Sequence, residues 1–204
     1  DDDDVGGDGF EHLSTVREAR GAREARSVSP GDGAPIQAEY IHEAVRLSRT
    51  AGRLEVRMRG LQVLPDVLAD TVDSGGLTSL VLEGNRLSQP PTGLSSNSSL
   101  VTLNLAANLL TRFPDVFSQL RVLEHLDLSR NHLAEVPPSI GACETLVSIN
   151  FAENQLTSLP PTFGKLQLLK ALYIHGNRFS GLSPTICSCF SLESVDASHN
   201  ELTG

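Results

Sequence analysis

Asp196, Ser198 and His199 lie within four residues of one another and supply the three side-chain types of an acyl-transfer triad. That chemistry needs the hydroxyl in hydrogen-bond reach of the imidazole. In an extended chain successive side chains point to opposite faces, so Ser198 and the adjacent His199 diverge. His125 and Asp127, two residues apart, share a face and are both of metal-ligating type, but no third ligand converges on them. Gly164-Lys165 lacks the glycine spacing of a phosphate-binding loop. The expectation is no catalytic residue, no metal, no cofactor and no enzymatic activity in this segment.

These residues all sit inside a repeat. Asn85, Asn108, Asn131, Asn154, Asn177 and Asn200 are spaced by 23 residues throughout. Each occupies the same place in the frame Leu-x-x-Leu-x-Leu-x-x-Asn-x-Leu, as in Leu100, Leu103, Leu105, Asn108, Leu110. A degenerate first copy runs through Ala51, Leu54, Val56, Arg59, Leu61 and Leu64, with Arg59 in the Asn slot. In Leu-x-Leu both leucines point one way and the residue between them the other, as in a short strand. Stacked copies then form a parallel sheet joined by outer return segments. An asparagine at the turn can adopt left-handed angles, and its amide can satisfy backbone groups that no ladder reaches. The return segments carry Leu64-Pro65, Phe113-Pro114, Val136-Pro137 and Leu159-Pro160. Nine residues after the Asn stands an apolar plug for the convex side of the core: Leu94, Phe117, Ile140, Phe163 or Ile186.

Residues 51–204 resemble the leucine-rich repeat family, as seven copies that stop before the last return segment. The implied fold is an α/β solenoid, a horseshoe with a parallel β-sheet on its concave face. The 23-residue period with Leu-Pro returns, and the lead-in over 43–61, are similar to the intracellular, Ras-group class that includes Erbin and Scribble. That resemblance implies a protein-binding module of a scaffold or signalling regulator. A targeting arm of a larger kinase, phosphatase, GTPase or ubiquitin ligase, and a structural part of a large assembly, stay open as alternatives. Secreted relatives usually carry cysteine-rich caps, and the lead-in here has none, so the expected location is the cytoplasm.

The strand positions facing away from the core define the candidate partner-binding surface. They include Arg53, Glu55, Arg57, Glu83, Asn104, His125, Asp127, Asn150, Tyr173, His175 and Asp196. Six strand gaps at ~4.8 Å give a face about 29 Å long. Tyr173, a lone aromatic among small residues, is either an anchor for a partner or a solvent-exposed ring.

The cysteines read as structure. Cys143 and Cys189 occupy the slot of Leu120 and Leu166, so both should be buried, whereas Cys187 takes the outward slot of Gly141 and Gly164. Asn97-Ser98-Ser99 is a glycosylation sequon, but Asn97 fills the same inward slot as Cys143, which disfavours modification.

Composition bounds the rest. Sixteen basic against 25 acidic residues give a net charge of -9 over 204 residues, the wrong sign for a phosphate-binding surface. No run of 18 apolar residues is present, so no membrane insertion is expected. Three cysteines are too few for a disulfide framework. Residues 1–35, with Asp1–Asp4 and a tandem Arg-Glu-Ala-Arg, hold few large apolar side chains and read as an acidic, disordered leader. A docking tail for a basic partner is the sharper alternative. Over 36–52, Ile36, Tyr40, Ile41, Ala44, Val45 and Ser48 form one helical stripe ending at Gly52, as expected of an N-terminal capping helix. A start at Asp1 and a stop within the seventh repeat read as truncation.

Overall fold

The computed structural model describes residues 44–46, 48, 51–64 and 76–203. The leader, the start of the capping helix and Pro65 of the first return segment lie outside them.

Seven three-residue strands make one sheet: β1 Arg53–Glu55, β2 Ser79–Val81, β3 Thr102–Asn104, β4 His125–Asp127, β5 Ser148–Asn150, β6 Ala171–Tyr173 and β7 Ser194–Asp196. They pair in chain order and all in parallel. The register aligns equivalent residues, so Leu54, Leu80, Leu103, Leu126, Ile149, Leu172 and Val195 form one row. A parallel step needs a crossover, and here each crossover is the return segment of its own repeat. Short 3-10 turns form these returns at Leu94–Ser96, Phe117–Gln119, Pro138–Ala142, Pro161–Lys165 and Pro184–Ser188. Proline opens the last three turns, where its missing N–H costs nothing. The architecture is the expected α/β solenoid, with 3-10 rather than α-helical returns.

The core lies between sheet and returns. Leu94, Phe117, Ile140, Phe163 and Ile186 are buried as convex plugs, and Phe113 stacks on Phe117 with centroids 4.8 Å apart. Neighbours supply this burial for one another. In the aligned row the first six residues are at most 1% exposed, while Val195, on the last coil, is 41% exposed. At the other end Ala44, Val45, Arg46, Ser48 and Ala51 are helical, and Val45 and Ser48 are buried. Gly52, at φ 64°, donates to Ser48 O at 2.7 Å and closes that helix.

The buried asparagines bind each coil to the one before it. Asn131 Oδ1 accepts from Leu110 N at 3.0 Å, and its Nδ2 donates to Leu105 O and Leu128 O at 3.0 and 3.1 Å. Asn85, Asn108, Asn154, Asn177 and Asn200 repeat the pattern. One expectation is corrected. The left-handed residue is not the asparagine but its predecessor: Met58, Gly84, Ala107, Arg130, Glu153, Gly176 and His199 all have φ between 48° and 69°. This preceding residue turns the chain inward, so that the asparagine amide reaches both coils.

Candidate functional site

The apolar residue at the centre of each strand and the one just past its end point into the core, so the residue between them must face away from it. The outward face thus carries one residue before, one within and one after the central pair, in seven aligned rows. Its chemistry changes from end to end.

At the β1 end the charges neutralise one another. Arg53 and Arg57 both pair with Glu55, and Arg57 also reaches Glu83. Burial works to raise the Glu55 pKa, but the hydrogen bond from Arg57 and the charges of Arg57 and Arg53 outweigh it and hold the carboxyl below its usual range. Their exposure makes these pairs modest in energy.

On β3, β4, β5 and β7 the face is built from turns in which an Asn or Asp side chain caps its own backbone. Asn104 Oδ1 accepts from Ala106 N at 2.9 Å and Asn150 Oδ1 from Ala152 N at 3.0 Å. Asp127 Oδ1 accepts from Ser129 N at 2.9 Å and Ser129 Oγ at 2.7 Å. Asp196 Oδ1 holds Ser198 N and Oγ at 3.0 and 2.7 Å. These bonds lock the side chains and satisfy the backbone where the strand ends. The sequence reading missed this role, although Asp-x-Ser at 127–129 and 196–198, and Asn-x-Ala at 104–106 and 150–152, carry its signal.

Asp127 departs from the expected exposed contact. It is only 8% exposed, because Asn104 and Asn150 flank it in register and its carboxylate folds onto Ser129. Burial pushes its pKa up, against the lowering effect of the Ser129 bonds. His125, on the same strand face, has its Nδ1 shielded from solvent and without a hydrogen-bond partner.

At the β7 end Tyr173 is half-buried between Asn150 and Asp196, with Ala171, Ser148 and Ser194 beside it. His175 Nδ1 lies 2.9 Å from Asp196 Oδ2, within ion-pair distance though not aligned for a hydrogen bond. Burial acts to raise the Asp196 pKa; the Ser198 bonds and His175 overcome it and leave the carboxyl below its usual range. Ser198 therefore donates to a carboxylate that lies between it and the imidazole. The order is Ser–Asp–His, so the hydroxyl is bonded to the carboxylate and not to an imidazole. Among the described residues no group of three His, Cys, Asp or Glu is placed to hold a metal ion, and no helix is long and apolar enough to cross a membrane.

The inward slots behave as their spacing predicts. Cys143 Sγ donates to Phe117 O and Leu120 O at 3.2 Å, and burial pushes its pKa up to about 12. Cys189 is buried and Cys187 exposed. Asn97 is 1% exposed and accepts from Leu77 N, so its sequon is closed in the folded chain.

Comparison with known proteins agrees with this geometry. Two leucine-rich repeat family models match, over residues 75–133 and 168–190. These stretches are leucine-rich repeats within a solenoid of the leucine-rich repeat fold, and such domains are in general protein-interaction modules. No curated protein matches it. Among solved structures it is similar to a leucine-rich repeat protein of Leptospira interrogans, with TM-score 0.67 and 24% identity over 78% of this chain and 46% of that one. It is also similar to the plant peptide hormone receptor RGFR1 in complex with RGF2, with TM-score 0.58 and 29% identity over 63% and 21% of the two chains. A third is the ectodomain of the Arabidopsis thaliana membrane receptor kinase GASSHO1/SCHENGEN3 in complex with Casparian Strip Integrity Factor 2. Here the TM-score is 0.60, with 30% identity over 68% and 17%. The chain spans less than half the length of each of these structures.

Proposed function

We propose that this chain is the recognition module of an intracellular scaffold or signalling regulator of the Ras-group, Erbin/Scribble-like class. It works in the cytoplasm and binds a protein partner along the concave sheet face. The observation that carries this reading is Tyr173, a half-buried ring on a floor of Ala171, Ser148 and Ser194 beside an ionised Asp196. Tyrosine is among the residue types enriched at the few positions that dominate interface energetics. The complexes of RGFR1 with RGF2 and of GASSHO1/SCHENGEN3 with its factor support partner capture by a stack of this kind. Free rather than paired cysteines among the described residues support the cytoplasmic location.

A second reading, the targeting arm of a larger enzyme, draws on the likeness to a receptor kinase ectodomain. The test is a lysate pull-down with the whole chain against a Tyr173→Ala, Asp196→Arg variant, after circular dichroism shows both folded. A protein retained by the parent and lost by the variant supports the concave face. Equal recovery by both refutes it. Recovery of a kinase, phosphatase or ligase substrate as the lost protein would favour the second reading.

A further inference from the structure

β4 is the middle strand of the seven, and its outward face carries a carboxylate that lacks a counter-ion. Asp127 is more than nine-tenths buried. Its Oδ1 is committed to Ser129, while its Oδ2 has only Asn150 Nδ2, at 3.4 Å. Among the described residues no Lys, Arg or His pairs with it, and the charged group that most influences it is Glu83, of like sign. Two residues back on the same face, His125 Nδ1 is also shielded and unpartnered. A buried carboxylate is costly to hold without a compensating positive charge.

The repeat itself shows what is missing. Asp196 makes the same turn, with the same two bonds from a serine two residues on, but has His175 Nδ1 at 2.9 Å. Three repeats earlier, where 196 becomes 127, 175 becomes 106, and position 106 is alanine. The slot that holds that imidazole in the sixth repeat is thus filled by a methyl group in the third, next to the middle strand. What remains beside it is a set of acceptors: Asp127 Oδ2, and His125 Nδ1 in its Nε2–H tautomer.

We propose that the centre of the concave face receives the ammonium or guanidinium of a Lys or Arg from an extended segment of the partner protein. That cation sets a nitrogen beside Asp127, as His175 Nδ1 lies beside Asp196, and adds a positive charge to it. This rests on the concave face being the binding surface, and it adds the chemistry of the residue read there.

The test selects short random linear peptides, displayed on phage, on the whole 204-residue chain. Binding of the selected peptides is then measured to the parent, to Asp127→Asn and to Tyr173→Ala/Asp196→Arg. Asp127→Asn should fold, because Asn104 and Asn150 already make the same turn with an amide. The expected result is a shared basic position whose replacement by alanine weakens binding about ten- to hundredfold on the parent, the range of a charge-assisted hydrogen bond, and has no effect on Asp127→Asn. Ala106→His, which supplies an internal imidazole, should weaken the same peptides although it removes no contact. Peptides without a basic preference, or equal binding to parent and Asp127→Asn, overturn the inference. So does a zinc ion that binds the parent by calorimetry and is lost with Asp127→Asn, since the acceptors would then serve a metal. Peptides sensitive to Tyr173→Ala/Asp196→Arg but not to Asp127→Asn refute only the cation. Peptides indifferent to every concave variant refute the concave reading itself.

Discussion

Replacing Asn131 by alanine should destabilise the chain by about 3–6 kcal/mol, and replacing Asn200 by only about 1–2 kcal/mol, although the two side chains make the same bonds. Asn131 is 4% exposed and serves Leu110 N, Leu105 O, Leu128 O and Ser129 O, the last of which also accepts from Ala107 N. Its removal leaves three backbone groups inside the stack, each costing about 1–3 kcal/mol when buried without a partner. The lower half of the summed range applies, because a water can enter the space left by the amide and partly serve the orphaned groups. Asn200 serves Phe179 N, Ile174 O and Ala197 O in the same geometry, but it stands half-exposed on the last coil, where bulk water replaces it directly.

The assay is urea unfolding followed by circular dichroism for both variants and for Asn131→Asp. With a slope of about 1–3 kcal/mol per molar, the Asn131→Ala midpoint should fall by about 1 M or more, and the Asn200→Ala midpoint by well under that. Asn131→Asp keeps the acceptor for Leu110 N and nearly the whole volume, but turns an oxygen toward two carbonyls. It should therefore be at least as damaging as alanine, which separates lost hydrogen bonds from lost packing. The slope must stay constant across the set, since repeat stacks can lose cooperativity. Equal losses at Asn131 and Asn200, or a tolerated Asn131→Asp, would refute the argument that backbone satisfaction is what the asparagine row contributes.

Other consequences follow from single side chains. Because burial raises the folded pKa of Asp127, its contribution to stability is fully present only at low pH and declines as pH rises from the ordinary carboxylate range to the raised value. Asp127→Asn should accordingly raise the urea midpoint at neutral pH and lose that advantage near about pH 3. Asp196, held below its usual range, has the opposite sign: its contribution is present at neutral pH and lost on acidification, so Asp196→Asn should lower the midpoint only above the carboxylate range. Gly141→Ala should be more damaging than Gly164→Ala in the same assay. A Cβ on Gly141 would sit 2.4 Å from Thr162 O, a backbone atom, whereas on Gly164 it would sit 3.0 Å from Ser188 Cβ. With iodoacetamide under native conditions Cys187 should be alkylated while Cys143 and Cys189 are spared, as peptide mass spectrometry would show; all three should react in urea.

The interior of this molecule was legible in the sequence because stacking repeats one constraint at a fixed spacing. Leu-x-Leu at 23-residue intervals determined strand, direction, register and core row together, and the plug residues and inward cysteines followed from slot position alone. The left-handed turn was placed one residue late. Met58, Ala107, Arg130, Glu153 and His199 share no residue type, and a non-glycine left-handed position pays about 1–2 kcal/mol that only the surrounding structure enforces. Local residue type therefore pointed to asparagine, the usual occupant, while the bonds of the asparagine amide fixed the adjacent residue instead.

The outward face was legible only in its membership. Alternation shows which side chains leave the core, but not what they do with their polar atoms once outside. Asn104, Asp127, Asn150 and Asp196 bond first to their own backbone, which the pairing of residues two apart could have indicated. The contrast between Asp127 and Asp196 needed three dimensions, because the imidazole beside Asp196 comes from the preceding repeat, 21 residues away. Counting back by whole repeats from that pair is what exposes Ala106, and with it an uncompensated carboxylate at the middle of the sheet. In a repeat protein the equivalent positions act as one another's controls. A carboxylate with an imidazole beside it in one repeat and no basic neighbour at the same place in another marks where the stack departs from its own structural needs, and such a departure on the open face is where recognition chemistry is to be sought.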